Sequence, residues 1–273
     1  MSPLLFSIDL EWFYSANGRR DLTQTPLPNL VGRLLALLAE TKHKATFFTV
    51  GELARAYPEV IARIAEQGHE LGCHGDRHLP LNELGADGFK YDLEANRRAL
   101  SAAGAKEIRG FRAPLFSLTA STPWAHKALR DVGFTYSSSV LPAANPLFGW
   151  PEFGAVPRIV DGLWEIPITT DHMGFITAPL YGGTYLRVLP WMVLRRKLLG
   201  KLNRQLIQSY VHPYDFDFRQ AWAMHAGLRG KPHMNCLLFL RRAGFENRVR
   251  WILSNTRKSS TYHEFVGTLR PSP

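Results

Sequence analysis

The chain has 273 residues, 45% of them hydrophobic, and carries 33 Lys and Arg against 23 Asp and Glu for a formal net charge of +10. That length suits one large barrel or two small domains, and no Ser/Gly-rich run or charge block marks a linker. No stretch approaches the roughly 20 apolar residues of a membrane span, and two cysteines, Cys73 and Cys236, cannot form a disulfide framework.

In chain order, Leu4 to Leu10 reads as a short buried strand and Leu30 to Glu40 as a helix with Leu34, Leu37 and Leu38 on one face. Ala45 to Val50 is a strand rich in aromatic and β-branched residues. Glu52 to Gln67 is a helix closed by Gly68, and Glu70 to Cys73 is a short strand that ends at His74. A helix from Ala86 to Ala103 turns Phe89, Leu93 and Leu100 inward, and Ile108 to Phe111 is the next strand. Pro123 to Val132 is a helix stopped by Gly133. Strands follow at Phe134 to Ser138 and Ser209 to Val211. Arg195, Arg196, Lys197, Lys201 and Arg204, interleaved with Leu194, Leu198, Leu199 and Leu202, make an amphipathic basic helix. Its first reading is a solvated face over an apolar underside, its second a contact with an anionic membrane surface.

Alternating strands and helices imply a parallel sheet with helices outside, and at this length a closed β/α barrel leads over an open doubly wound sheet. No glycine-rich phosphate loop follows the first strand, which argues against nucleotide binding. The polar residues then fall in one kind of place. Asp9 and Glu11 end the first strand, His74 the third, Arg112 follows the fourth, and His212 ends a late one. In a parallel barrel these strand ends meet on one face, where active sites are built.

Each of these residues has a chemistry to offer. His74 and His78, four apart in a loop before Pro80, present two nitrogens to one divalent ion. Of Asp9 and Glu11, one would complete the metal site and the other would polarise water. Arg112, in Gly-Phe-Arg-Ala-Pro ending at Pro114, would pair with a catalytic carboxylate. His212, held by Pro213, would serve as general acid toward a leaving amine. Trp12, Phe13, Trp150, Trp164 and Tyr185 are candidate apolar walls for a sugar ring. Cys73 reads as a small buried hydrophobe, and His69, His126, His172, His225, His233 and His263 as structural or surface groups.

The ordered series Ser-Ile-Asp-Leu-Glu, Ala-Thr-Phe-Phe-Thr-Val-Gly, His-Glu-Leu-Gly-Cys-His-Gly-Asp-Arg-His, Gly-Phe-Arg-Ala-Pro and Val-His-Pro resembles the polysaccharide deacetylases, the NodB-homology group of carbohydrate esterases. The match spans about residues 4–215. The C-terminal part, with Gly-Gly-Thr-Tyr-Leu-Arg-Val-Leu-Pro, His-Pro-Tyr-Asp-Phe-Asp and an Arg-rich helix near 241–253, resembles the subgroup tied to exopolysaccharide loci.

The resemblance implies an α/β fold, a distorted (β/α)7-type barrel. It implies one catalytic domain over 1–268, with core motifs at 4–215 and a helical extension at 216–268, followed by a loose tail at 269–273. It implies Asp9 as catalytic base, Arg112 as the arginine that holds it, and His212 as catalytic acid. His74 and His78 match the metal histidines. The family's usual metal carboxylate directly follows the base, where this chain has Leu10, so Glu11 is the substitute ligand. The family's aspartate that supports the arginine has no clear counterpart here, and Asp161 is the candidate. Trp12, Pro114 and Tyr185 are the candidate substrate-binding positions.

The implied cofactor is a divalent metal, zinc first, with other first-row transition ions also compatible. The expected reaction is removal of an N-acyl group, acetyl or formyl, from an amino sugar of a bacterial surface glycan or its precursor. Two alternatives stand beside it: action on a lipid-linked sugar at the inner membrane face, and a non-catalytic glycan-binding protein on the same fold. Met1 to Ser7 holds no basic segment before Asp9, so the expected location is cytoplasmic, with peripheral contact to an anionic membrane. Nucleic acid is not an expected partner, because the positive charge is scattered and no recognition motif accompanies it.

Overall fold

The structure, a computed structural model, describes residues 4–16 and 25–270. The first half alternates β1 (Leu4–Leu10), α1 (Leu27–Glu40), β2 (Thr46–Thr49), α2 (Gly51–Ala56), α3 (Pro58–Glu66), β3 (Glu70–Cys73), α4 (Leu81–Ala102), β4 (Gly110–Phe111), α5 (Trp124–Val132) and β5 (Tyr136–Ser137). Then come β6 (Arg158–Val160), β7 (Leu163–Glu165), the hairpin β8 (Asp171–Met173) and β9 (Ile176–Ala178), α6 (Gly183–Val188), α7 (Trp191–Lys201) and β10 (Ile207–Val211). The chain closes with α8 (Pro232–Leu237), α9 (Phe245–Ser254), β11 (Ser259–Ser260) and α10 (Tyr262–Val266).

The main sheet runs β10-β1-β2-β3-β4-β5-β7-β6, with β11 paired to the start of β1. From β10 to β7 every neighbour is parallel, which gives seven parallel strands, while β6 is antiparallel to β7. The sheet curls far enough for its parallel edges to approach one another, but no ladder joins β7 to β10. Side chains bridge that seam instead: the Gln208 backbone N–H donates to Thr169 Oγ1 at 3.0 Å, and Gln208 Nε2 donates to the Pro167 carbonyl. The (β/α)7 expectation therefore holds, as a barrel with one side-chain seam rather than a continuously hydrogen-bonded ring.

Several boundaries differ from the sequence reading. The helix expected over 52–67 is two helices, because Pro58 has no N–H and bars helical geometry at Tyr57 (φ −138°, ψ 59°). The helix expected from Ala86 begins at Leu81 and bends at Gly85, whose φ of 65° only glycine adopts at little cost. Strands β4 and β5 are two residues each, shorter than read. Gly133 caps α5 in the left-handed conformation, as its position suggested.

The basic helix at α7 buries Leu194 and Leu198 but leaves Leu199 exposed, so its apolar underside is narrower than the sequence pattern implied. Leu269, placed in the loose tail, packs on a small cluster around Tyr262 and Phe265. The last three residues of that tail, and the start of the segment read for a leader, lie outside the described residues. Among the described residues no helix is long and apolar enough to cross a membrane.

Candidate active site

β1 is buried along its whole length, and its pleat decides which side chains meet. Leu10 enters the main apolar core, while Asp9 and Glu11 stay together on the other side, each 3% exposed. Leu10 is therefore not a vacant ligand position; it faces away from the polar centre. Four further polar groups of that centre directly follow the C-terminal end of a parallel strand: His74 after β3, Arg112 after β4, Ser138 after β5 and His212 after β10.

Glu11, His74 and His78 bring one donor atom each to within 4.8 Å of one another. His74 Nε2 lies 3.2 Å from Glu11 Oε2, and His78 Nε2 contacts the same oxygen. The other ring nitrogen of His74, Nδ1, is 2.8 Å from the Arg112 carbonyl, which can only accept. That bond makes Nδ1 the donor, so in the neutral ring, the form that binds a metal, Nε2 turns its lone pair toward a carboxylate oxygen. Two lone pairs facing one another across a buried gap call for a cation between them, and two imidazoles with one carboxylate are a donor set that suits one.

Burial pushes the Glu11 carboxyl upward, but in the metal-free protein the charge of His78, the hydrogen bonds that His74 and His78 donate when protonated, and the charge of His212 outweigh it and hold Glu11 well below the usual carboxylate range. Tyr214 donates to Glu11 Oε1 at 3.1 Å, leaving Oε2 for the histidines. His78 adopts φ 57°, a left-handed conformation that costs a non-glycine residue on the order of 1 kcal/mol or more. It turns the ring back toward Glu11, where Tyr14 stacks on it at 4.7 Å.

Beside this cluster Arg112 is fully buried and spends its donors completely. Nη1 binds Asp9 Oδ1 at 2.7 Å and Ser7 Oγ at 2.8 Å. Nη2 binds Tyr262 at 2.8 Å and Ser138 Oγ at 3.2 Å, and Nε binds the Ser138 carbonyl at 3.1 Å. Its face lies 4.2 Å from the Phe48 ring centre. The support that an aspartate was expected to give comes from two serines and a tyrosine. Asp161 sits in the β6–β7 turn, where its carbonyl accepts from Arg130, and plays no part in the site.

With Oδ1 of Asp9 taken by Arg112, Oδ2 faces His212 Nε2 at 4.0 Å. The opposite nitrogen of His212, Nδ1, donates to Asp215 Oδ2 at 3.1 Å, and Asp215 is ion-paired to buried Arg187 at 3.2 Å. Burial lowers the basicity of His212, but the Asp215 hydrogen bond and charge prevail and raise it to about 9. Burial likewise pushes Asp215 up, and Arg187 and His212 bring it down to about 2.

Asp215, Arg187 and Tyr214 were not singled out from the sequence. Asp215 had a readable signal: it stands three residues after His212, where its carboxylate caps the His212 backbone N–H at 2.9 Å. Arg187 lies in the Gly-Gly-Thr-Tyr-Leu-Arg-Val-Leu-Pro motif, but nothing there marked it as the partner of Asp215, and Tyr262 had no signal.

Asp9, Glu11, His74, His78, His212 and Tyr214 form the floor of a cavity of about 250 Å³. Tyr185 lines it, whereas Trp12 and Pro114 do not. Trp12 is half-buried edge-on to Tyr14, and Pro114 is buried in the turn that carries Arg112. His225, read as structural or surface, is buried and does line the cavity; burial lowers it to about 4, so it is neutral. His126 is structural, as read, and donates to buried Glu165 at 3.2 Å. Cys73 is a buried free thiol.

Residues 21–137 match the family described as polysaccharide deacetylase. Residues 138–264 match a second family, described as a domain of unknown function, DUF3473. The chain is 38% identical over 90 residues to a chitooligosaccharide deacetylase of Sinorhizobium fredii, covering 33% of this chain and 42% of that protein. It is 34% identical over 73 residues to a peptidoglycan-N-acetylglucosamine deacetylase of Bacillus cereus, covering 27% of this chain and 24% of that protein. The chain thus spans less than half the length of these relatives.

Among solved structures, a protein described as a candidate polysaccharide deacetylase from Mycobacterium smegmatis superposes with a TM-score of 0.60 at 20% identity, covering 100% of this chain and 94% of that one. A family 4 carbohydrate esterase from Streptomyces lividans superposes at 0.52 and 14% identity, covering 99% and 98%. A protein of Bacillus anthracis described as a family 4 pseudoenzyme superposes at 0.53 and 14% identity, covering 96% of this chain and 64% of that one. At these identities the likeness shows the polysaccharide deacetylase fold, and function must be argued from the side chains.

Proposed function

We propose that the chain hydrolyses the N-acyl group, acetyl first, of an amino sugar in a bacterial surface glycan or its precursor, with a divalent metal held by Glu11, His74 and His78. The observation that carries this reading is the double use of Arg112. Its carbonyl fixes His74 with Nε2 toward Glu11, and its guanidinium aims Asp9 at the same cavity. A single residue thereby sets both the candidate metal site and the candidate base.

A metal ion bound there would supply Lewis-acid polarisation of the acyl carbonyl and an acidified water. Zinc is the leading ion for this donor set, and other first-row transition ions are compatible. The protein's own groups supply the proton transfers. Asp9 presents Oδ2 to the cavity and takes a proton from the attacking water. His212, charged at neutral pH through Asp215, donates from Nε2 to the departing sugar nitrogen. These two atoms lie 4.0 Å apart and both residues line the cavity, so a scissile amide seated over them can meet base and acid side by side. A glycan-binding protein without chemistry would have no use for a base and an acid so placed.

The test is bound metal by elemental analysis together with release of acetate from N-acetylated chitooligosaccharides. About one equivalent of divalent ion, absent from a His74→Ala, His78→Ala double variant, with turnover only in the metal-loaded wild type, is the expected result. Metal without turnover on any acylated amino sugar would favour the binding-protein reading, and no metal after reconstitution would remove the proposed site.

A further inference from the structure

The floor of the cavity is ionic, but its walls are not. Leu115, Leu141, Leu147, Met234, Leu237 and Leu238 line it, and among the wall side chains the polar partners for sugar hydroxyls are few, chiefly Asn145, Thr184 and Tyr185. The apolar surface does not stop at the rim. Leu237 is 39% exposed, Leu240 49% and Trp222 60%, and Trp222 lies 6.4 Å from the Phe239 ring. An exposed apolar strip that continues into a cavity wall marks a binding surface rather than scattered surface residues.

Three cations surround the same opening. Lys231 donates to the Pro146 carbonyl at 3.0 Å, between the lining residues Asn145 and Leu147. Arg241 donates to the carbonyl of Val188, itself a lining residue, at 3.0 Å. Arg229 follows lining Leu228 and donates to the Ala16 carbonyl. Each is anchored by a neutral main-chain oxygen, and none has a carboxylate partner among the described residues. Arg187 fixes this rim to the floor, since it binds the Leu238 and Leu240 carbonyls at 2.9 and 2.7 Å while pairing with Asp215.

The geometry points to an amphiphilic substrate: an amino sugar joined through a phosphate to an aliphatic chain, the chain lying on Met234, Leu237 and Leu240 and the phosphate beside Lys231 and Arg241. This substrate class rests on the N-deacylase reading for its sugar end, but the rim makes its own case. A neutral, hydroxyl-rich oligosaccharide would cover these apolar side chains without satisfying its hydroxyls, and would leave the three cations unused. A lipid phosphate fits both, because the chain buries apolar surface and the anion meets charges that have no carboxylate partner among the described residues.

The experiment is calorimetric binding of octyl phosphate, below its micelle concentration, to the metal-loaded protein, beside inorganic phosphate and octyl glucoside. Burying as few as two methylenes gives about a tenfold gain, so octyl phosphate is expected to bind at least about tenfold tighter than inorganic phosphate. It should also bind tighter than octyl glucoside, which has the chain without the charge. Leu237→Asp should remove most of the advantage over inorganic phosphate and Lys231→Met most of the advantage over octyl glucoside, with unfolding curves like the wild type. Equal affinity for octyl phosphate and inorganic phosphate, or an advantage untouched in both variants, would overturn the proposal. No acyl sugar is present, so an inactive protein that still prefers octyl phosphate would sink only the deacylase reading. Turnover of chitooligosaccharides without that preference would sink only this one.

Discussion

The carboxylate of Asp215 holds His212 at two points: Oδ2 accepts from ring Nδ1 at 3.1 Å and from the His212 backbone N–H at 2.9 Å. The ring is thereby fixed in orientation and in protonation state, with Nε2–H toward the cavity. Asp215→Asn keeps the shape and removes the charge. Turnover should fall on the order of 10²-fold with little change in KM. Because Asp215 is what raises His212 to about 9, the alkaline limb of the pH profile should move to lower pH by more than one unit. An unmoved limb would mean that Asp215 only shapes the loop.

The same pair makes stability depend on pH, with opposite signs for its members. His212 is raised, so its contribution is full below the unfolded value of about 6.5 and is lost as pH rises through about 9. Asp215 is depressed, so its contribution is full above about 3.9 and is lost as pH falls through about 2. Thermal unfolding of the metal-free protein should show a plateau of Tm between those unfolded values. In Asp215→Asn the decline on the alkaline side should flatten.

Asp9 is bonded to Arg112 and stands apart from the Glu11 cluster, so the two carboxylates should separate by mutation. Asp9→Asn is expected to retain about one equivalent of metal while losing on the order of 10²-fold or more in turnover. Glu11→Gln should lose metal and turnover together. Elemental analysis of the two variants decides it, and loss of metal from Asp9→Asn would make Asp9 a ligand instead.

Tyr214 pins the outer oxygen of Glu11 and stacks on His212 at 4.7 Å. Tyr214→Phe leaves the stacking but frees Oε1. Metal affinity, measured by competition with a chelator, should weaken on the order of 10-fold, while protein stability changes little.

Glu165 supports the site from below, since Oε1 accepts the Ser139 and Val140 N–H groups at 2.8 and 3.0 Å. Glu165→Ala would orphan both donors and His126, at about 1–3 kcal/mol for each buried group left unpaired. A Tm lower by several degrees is expected, with a smaller loss in Glu165→Gln, which keeps an acceptor.

Much of the site was legible because it obeys local rules. Asp9, His74, Arg112 and His212 each follow an apolar strand that the sequence marks, and parallel strands deliver their ends to one face whatever the rest of the chain does. Pro58 and Gly85 also announced the breaks they cause, though the apolar periodicity on either side masked them. The partners of Arg112 were hidden for another reason. Tyr262 is 150 residues away and reaches the guanidinium only because β11 pairs with the start of β1.

The sequence by itself determined the alternation of strands and helices, and with it which polar residues share a face, because hydrophobic period and turn chemistry are local properties. Only the tertiary structure decided that two serines and a tyrosine support Arg112, that Asp215, paired with Arg187, holds His212, and that an ionic floor lies under apolar walls ringed by cations. Those features arise where distant segments close on one another, and distance in space is set by packing, which no local pattern encodes.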